Sequence, residues 1–134
     1  MMGRTNVRWT PGTVIRILLI DSDLKILVTL RELLESHGHE VFISVDSETS
    51  LVLAQQHAPH VICAGVELEG SSGYELARQL RALPQTSHSV MIALAHSNDD
   101  DDVVRRAGAG FDDYLLKPLN FEDILHLLNH AIND

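Results

Sequence analysis

Short apolar runs alternate with helix-length segments along this chain. Five such runs stand out, at residues 15–20, 41–45, 61–64, 90–95 and 114–116. Runs with little polar alternation are typical of parallel strands that are buried on both faces of a sheet. Because each run is followed by a segment long enough for a helix, the pattern predicts an α/β fold of five βα units. We expect a doubly wound (βα)5 sandwich around a parallel five-stranded sheet with right-handed crossovers.

The helices are predicted from apolar spacing and from residues that start or stop helices. After the first run, apolar residues recur at helical spacing between Asp23, a suitable N-cap, and Gly38, a suitable stop. Three further helices are expected to start at Asp46 or Ser47, at Ser72 or Gly73, and at Asn120. The segment 98–110 has few apolar residues and two glycines, so its helix is expected to be short or mobile.

Length and composition indicate one globular domain. The 134 residues suffice for a single domain, which we place at 14–134. Residues 1–13 show no period and contain a Pro-Gly step, so we expect a flexible N-terminal arm. No apolar run approaches the roughly 20 residues that span a bilayer, and no membrane association is expected.

Charge and cysteine content narrow the possible partners and compartment. The chain has 10 Lys and Arg against 19 Asp and Glu, a net charge of −9. This is the wrong sign for binding the phosphate backbone of nucleic acid, so we expect no nucleic-acid partner. Cys63 is the single cysteine, which excludes an intrachain disulfide and favours the cytoplasm.

Four segments of the sequence resemble the receiver domain of two-component response regulators, including chemotaxis regulators. They are RILLIDSD (16–23), PHVICAGVELEGSSGYEL (59–76), VMIALA (90–95) and FDDYLLKP (111–118). The resemblance implies a flavodoxin-like sheet with strand order 2-1-3-4-5. It also implies a phosphoryl pocket built from an acidic cluster after strand one, an aspartate ending strand three, a hydroxyl ending strand four and a lysine ending strand five.

Three of these pocket positions depart from the family pattern. The phosphoacceptor position, eight residues before Gly73, is Gly65, and the second member of the acidic cluster is Ser22. The hydroxyl position is assigned to Leu94. Asp21, Lys117 and the switch-type aromatic Tyr114 follow the pattern, although without a phosphoryl group Tyr114 is better interpreted as a core or interface residue.

These departures remove the chemistry of the pocket. An acyl phosphate needs a carboxylate nucleophile, and Mg²⁺ needs carboxylate oxygens. We therefore expect a degenerate pseudo-receiver that is not an enzyme, has no cofactor and binds Mg²⁺ weakly or not at all, with Asp21 the weak candidate ligand. Asp21 and Lys117 are expected either to keep a residual cation site or to form a structural ion pair.

Two other functions are weighed against this one. A displaced acid such as Glu67, two residues past Gly65, could accept phosphate, although a misplaced nucleophile loses much of its rate. Alternatively, the crevice at the carboxyl ends of the strands could hold a small ligand or a metal, because Gly65 and Leu94 would make it roomier and more apolar.

The expected role is therefore that of a stand-alone bacterial signalling protein that binds other proteins. In the family, helix four, strand five and helix five form the usual output surface. Four acids, Asp99, Asp100, Asp101 and Asp102, stand where helix four should begin. They either complement the helix dipole or form an acidic recognition patch. Expected partners are a histidine kinase or a downstream signalling protein, with the chain a monomer or a weak homodimer.

Overall fold

A five-stranded parallel sheet lies between two layers of helices. The computed structural model describes residues 14–97 and 99–133, with side chains as far as 129, so the expected arm at 1–13 lies outside the described residues. The strands are β1 Arg16–Ile20, β2 Glu40–Ser44, β3 Val61–Gly65, β4 Val90–Ala95 and β5 Asp113–Leu116. The helices are α1 Leu24–Ser36, α2 Ser47–His57, α3 Gly73–Ala82, α4 Asp100–Ala109 and α5 Phe121–Asn133.

The sheet has the strand order β2-β1-β3-β4-β5, and every neighbouring pair is parallel. This confirms the predicted (βα)5 architecture and its strand order. Parallel pairing puts the carboxyl ends of all five strands at one edge of the sheet. The loops after β1, β3, β4 and β5 meet at this edge, so the candidate residues are brought together there.

Each face of the sheet packs on its own helices. Along β1, Ile17 and Leu19 join a cluster with α1 and α5, while Leu18 and Ile20 join a cluster with α2, α3 and α4. The burial on both faces explains why the strands read as continuous apolar runs. Cys63 of β3 lies in the first cluster, where burial raises the pKa of its thiol to about 12.

Helix α4 occupies the segment for which a short or mobile helix is expected. It has 10 residues, as many as α3 and fewer than the 11 to 13 of α1, α2 and α5, but it completes a regular helix with a defined start and end. Asp99 caps its start by accepting from the Asp102 amide, and Gly110 ends it in a left-handed conformation with φ 107°. These two caps, with three acids in the first turn, offset the weak helix propensity of the segment.

The loop between β3 and α3 is tightly folded against the sheet edge. Glu67–Leu68 pairs antiparallel with Ser71–Ser72 to form a small hairpin. At its end, a Cβ on Gly73 would overlap the carbonyl oxygen of Gly65. Only glycine permits this approach of helix to strand, so the position of the loop depends on Gly73. The described residues contain no helix long and apolar enough to cross a membrane.

Candidate functional site

A buried ion pair joins two of the predicted site residues. Asp21 follows β1 and is fully buried, and Lys117 follows β5 with its side chain 14% exposed. Lys117 Nζ lies 2.7 Å from Asp21 Oδ2. The other carboxylate oxygen, Oδ1, accepts from the Asp23 amide at 2.9 Å. Oδ2 is thus in ion-pair contact with Lys117 but makes no hydrogen bond, and the charge of Lys117 beside it favours the structural ion pair over a residual cation site.

The backbone around this pair is fixed from both neighbouring strands. The amide of Asp21 donates to the carbonyl of Ser44 at the end of β2, 3.2 Å away. The amide of Lys117 donates to the carbonyl of Ala95 at the end of β4, 2.8 Å away. The Lys117–Pro118 peptide bond that follows is cis. Because their backbones are anchored in the sheet, the two charged side chains meet without a flexible loop between them.

Gly65 lies directly beneath the carboxylate of Asp21. A Cβ on residue 65 would be 2.9 Å from Asp21 Oδ2 and 3.4 Å from its Cγ. Such a carbon-to-oxygen distance is shorter than a normal contact, so a side chain at 65 would have to displace the carboxylate that Lys117 holds. The phosphoacceptor position therefore contains no side chain, and Asp21 fills part of the space above it.

The remaining members of the acidic cluster point elsewhere. Ser22 is exposed. Asp23 caps α1, with its Oδ1 accepting from the Lys25 amide at 3.0 Å. Asp21 is thus the member of this cluster that is turned into the protein. Within the part of the chain that the structure describes, no group of three or more His, Cys, Asp or Glu side chains is placed to hold a metal ion.

Leu94, the residue assigned to the hydroxyl position, is the partner of Gly65 in the register of β3 and β4. Leu94 is buried in the cluster with α1 and α5, and the last residue of β4 is Ala95. Ala95 lies in the other cluster, with Ala93, whose partner on β5 is Tyr114. Neither Leu94 nor Ala95 carries a hydroxyl group, so the hydrogen-bond donor expected at this strand end is missing at both positions.

Tyr114 is packed against an arginine that the sequence pattern did not single out. Its side chain is half-buried and joins the cluster with α3 and α4. The guanidinium carbon of Arg106 lies 4.1 Å above the centre of its ring. A charged residue in the last turn of a sparsely apolar helix is usually solvated, so only the three-dimensional contact reveals this stacking.

A cavity of about 360 Å³ opens between the hairpin loop and α4. Its lining residues come from the loop after β3, the end of β4 and helix α4: Val66, Glu67, Leu68, Ser71, Ser72, Tyr74, Ala95, His96, Ser97, Asp102, Arg105 and Arg106. Neither Gly65 nor Leu94 is among the described residues that line it. Most of the lining is polar or charged, so this cavity differs from the apolar crevice expected at Gly65 and Leu94, which stays a prediction.

The four aspartates at the start of α4 have separate surroundings. Asp99 is the N-cap, and its Oδ1 accepts from the Asp102 amide at 3.0 Å. Asp100 and Asp101 are exposed, whereas Asp102 is half-buried beside the cavity. Asp99 therefore caps the helix, whereas the exposed side chains of Asp100 and Asp101 can contribute to a recognition surface.

Comparison with known proteins identifies related sequences and structures. The family model described as the response regulator receiver domain matches residues 17–129. PilH of Pseudomonas aeruginosa is 31% identical over 87% of this chain and 97% of its own length. The virulence sensor protein BvgS of Bordetella pertussis is also 31% identical over 91% of this chain, which spans only 10% of BvgS.

A solved structure of the chemotaxis response regulator CheY4 of Vibrio cholerae has the same fold. It superposes with a TM-score of 0.84, covers 89% of this chain and 99% of its own, and is 24% identical. This similarity supports the architecture described above. The identities of the residues at the strand ends are read from this chain alone.

Proposed function

The chain belongs to the response regulator receiver domain family, and we propose that it acts there without phosphorylation, as a protein-interaction module. It would be a stand-alone, cytoplasmic member of a two-component or phosphorelay pathway. Supporting this, the match to PilH covers 97% of that protein. The binding partner would be a histidine kinase or a downstream signalling protein. The chain itself would be a monomer or a weak homodimer.

The observation that carries this proposal is the Asp21–Lys117 pair above Gly65. A receiver that forms an acyl phosphate needs a carboxylate in line with a phosphoryl group that a metal and a lysine hold. Here residue 65 has no side chain, and Lys117 Nζ is 2.7 Å from Asp21. We therefore infer that the chain catalyses no phosphoryl transfer to itself.

The residues at this edge also do not fit a Mg²⁺ ion. Mg²⁺ requires oxygen ligands in near-octahedral geometry, usually one or two carboxylates with phosphate oxygens and waters. Asp21 is the buried carboxylate here, and Lys117 and the Asp23 amide occupy its two oxygens. Ser22 cannot supply a second carboxylate. In this proposal the protein uses no cofactor.

A displaced acceptor at Glu67 finds little support in the geometry. Glu67 is exposed on the hairpin loop and lines the cavity beside α4. The lysine that would orient a phosphoryl group is paired with Asp21, and Glu67 is not within ion-pair distance of Lys117. An acceptor outside the reach of this cation would lose its alignment with the transferred group.

The surface that would bind a partner is formed by α4, β5 and α5. Each element exposes large apolar side chains: Val103 at 40% and Val104 at 71% on α4, Leu116 at 39% on β5 and Phe121 at 45% on α5. Apolar side chains grouped at a surface contribute most to protein association when a partner covers them. This observation agrees with the output surface that the family resemblance implies.

Intact-mass spectrometry after incubation with acetyl phosphate and Mg²⁺ tests the first half of the proposal. The expected mass is unchanged, and a stoichiometric gain of one phosphoryl group would overturn phosphorylation independence. The second half is tested by affinity capture from the native cell with Val104→Asp and Phe121→Ser as bait. Both should lose the partner, while Val52→Asp, at a valine 48% exposed on α2, should retain it.

A further inference from the structure

Arg106 is a buried cation with an unused hydrogen-bond donor. The residue is 3% exposed. Its Nη1 donates to the carbonyl of Ser97 at 2.7 Å, and its guanidinium stacks on the ring of Tyr114. Its Nη2 is buried and has no hydrogen-bond partner among the described residues. Stacking satisfies the face of a guanidinium but leaves the N–H groups at its edge to be satisfied by another group.

The nearby acids do not neutralise this guanidinium. Asp102 lies one helical turn earlier on α4 and lines the same cavity, a spacing at which ion pairs commonly form. Nevertheless, among the described ion pairs Arg106 has no carboxylate within 4.0 Å. Burying the Nη2 donor without an acceptor costs free energy. A ligand that supplied an acceptor would recover that cost.

The cavity beside Arg106 has the size and the chemistry for such a ligand. Its volume of about 360 Å³ falls in the range of small-molecule sites. Val66, Leu68 and Ala95 supply apolar wall, and the hydroxyl groups of Ser71 and Ser72 supply hydrogen-bonding positions. A second guanidinium, that of Arg105, lies above the ring of Tyr74 at 4.2 Å on the exposed side.

We propose that this cavity binds a small monocarboxylate whose carboxylate pairs with the guanidinium of Arg106, a residue that lines the cavity. Guanidinium and carboxylate form strong, charge-assisted hydrogen bonds. Glu67 and Asp102 also line the cavity, so its formal charges cancel before a ligand enters. A ligand with a single negative charge is therefore favoured over a dianion such as hydrogen phosphate, which the two acids repel.

This site is separate from the degenerate phosphoryl pocket. None of Asp21, Gly65 and Lys117 is among the described residues that line the cavity. It is connected to the proposed output surface, because Arg106 packs on Tyr114 of β5 and belongs to α4. A ligand that pairs with Arg106 would hold it in this contact with Tyr114, and so would be coupled to the output surface of the proposed function, on which this step rests.

Acetate and inorganic phosphate are the probes that test the site. ¹H–¹⁵N spectra of the full chain are recorded at pH 8 while sodium acetate or sodium phosphate replaces sodium chloride at constant ionic strength. Acetate should produce saturable shifts at the Arg106 side-chain Nε–H and at the amides of His96 and Ser97. Phosphate should bind at least tenfold more weakly. Equal binding of both would overturn the preference for one charge, and the absence of saturable acetate shifts would overturn the site.

Variants at the two arginines separate the buried donor from general attraction. Arg106→Gln removes the buried charge and should weaken acetate binding at least tenfold. Arg105→Gln removes the same charge from the same cavity and should weaken it less than threefold. If Arg106→Gln does not fold, Arg106→Lys keeps the charge without the guanidinium fork and should bind at least threefold more weakly. Wild-type affinity in a folded Arg106 variant would contradict the proposal.

Discussion

Asp21 and Gly65 compete for one space, since Asp21 Oδ2 lies 2.9 Å from the position that a Cβ on residue 65 would take. The same oxygen is 2.7 Å from Lys117 Nζ. The ion pair and the glycine therefore depend on one another: the pair can close over β3 because residue 65 lacks a side chain. This interdependence distinguishes a repacked pocket from one that has merely lost its nucleophile.

The first prediction concerns this interdependence. Gly65→Ala should lower the free energy of unfolding by about 1 to 3 kcal/mol, because the added methyl group forces the carboxylate of Asp21 to move within a packed site. In an Asp21→Ala background the same change should cost clearly less, since the crowded oxygen is gone. Urea denaturation of the four proteins in this cycle measures the coupling.

A matched control exists on α4. A Cβ on Gly108 would meet nothing within 4 Å, and this glycine lies inside the helix. Gly108→Ala should therefore raise stability by roughly 0.5 to 1 kcal/mol through helix propensity. If Gly65→Ala lowers the free energy of unfolding equally in both backgrounds, the carboxylate of Asp21 moves without cost and the two positions are independent.

The second prediction is that the Asp21–Lys117 pair stabilises the fold. Asp21→Ala should lower the free energy of unfolding by about 1 to 4 kcal/mol, because it leaves a largely buried ammonium group unpaired. Asp21→Asn keeps the shape and should fall within that range. The control is Glu75→Gln, at an ion pair with Arg78 whose side chains are 64% and 53% exposed, where a loss below about 1 kcal/mol is expected. Unchanged denaturation midpoints for both Asp21 variants would contradict the prediction.

The third prediction concerns restoration of phosphate uptake. Gly65→Asp alone should not be phosphorylated by acetyl phosphate and Mg²⁺, because the metal site lacks a carboxylate at Ser22. Gly65→Asp combined with Ser22→Asp supplies both carboxylates and should gain one phosphoryl group by intact mass. Rapid phosphorylation of the single variant would show that Ser22 does not limit the metal site.

The sequence pattern was sufficient to predict the elements of the fold. Continuous apolar runs such as 61–64 can be satisfied only in a sheet covered on both faces, and caps such as Asp23 and Asp46 act locally, so both leave a trace in one segment. Helix α4 had a weaker signal because it is held by Asp99 and Gly110 at its ends rather than by its apolar content.

The site was only partly predictable, for a physical reason. Motif spacing brought Asp21, Gly65 and Lys117 to one edge, but the crowding of Asp21 against Gly65 depends on side-chain geometry across two strands. Leu94 lies beside Gly65 in the register of β3 and β4, on the strand end to which the motif spacing assigned it. Arg106 had no sequence signal, because its burial results from the packing of α4 against β5.

The fourth prediction concerns the pH dependence of stability. His60 Nδ1 accepts from the Arg16 amide at 3.0 Å, and burial, assisted by the charge of Arg16, lowers the pKa of His60 from its ordinary value of 6.5. The imidazole of His60 therefore binds a proton more readily in the unfolded chain than in the folded chain. Stability contributed by His60 should be present above pH 6.5 and decrease as the pH falls below it.

Urea denaturation between pH 5 and 8 measures this effect, and His60→Gln should reduce the slope of stability against pH. His39, whose pKa is lowered by burial and by the nearby His37, should contribute with the same sign, so His39→Gln should reduce the slope as well. A slope that is unchanged in His60→Gln would show that the proton on this imidazole is not linked to folding.

The last prediction tests whether the acids at the start of α4 steer a partner. Asp100 and Asp101 are exposed, whereas Asp99 caps the helix and is left intact. Charges on a surface raise association rates with a basic partner, and salt screens them over a Debye length of about 8 to 10 Å. The double variant Asp100→Asn, Asp101→Asn should therefore bind the captured partner more slowly, with a weaker dependence on salt. Its dissociation rate, set by short-range packing, should change little.

Surface plasmon resonance at several salt concentrations gives both rates. The control is Glu32→Gln, Glu35→Gln, which removes two exposed charges from α1 and so changes the net charge equally. A local field near the interface predicts a larger loss of association rate for the α4 variant than for this control, because distant charges are screened. Equal rates and salt slopes in the two variants would mean that only the net charge matters, and the exposed aspartates would then serve the dipole of α4 rather than recognition.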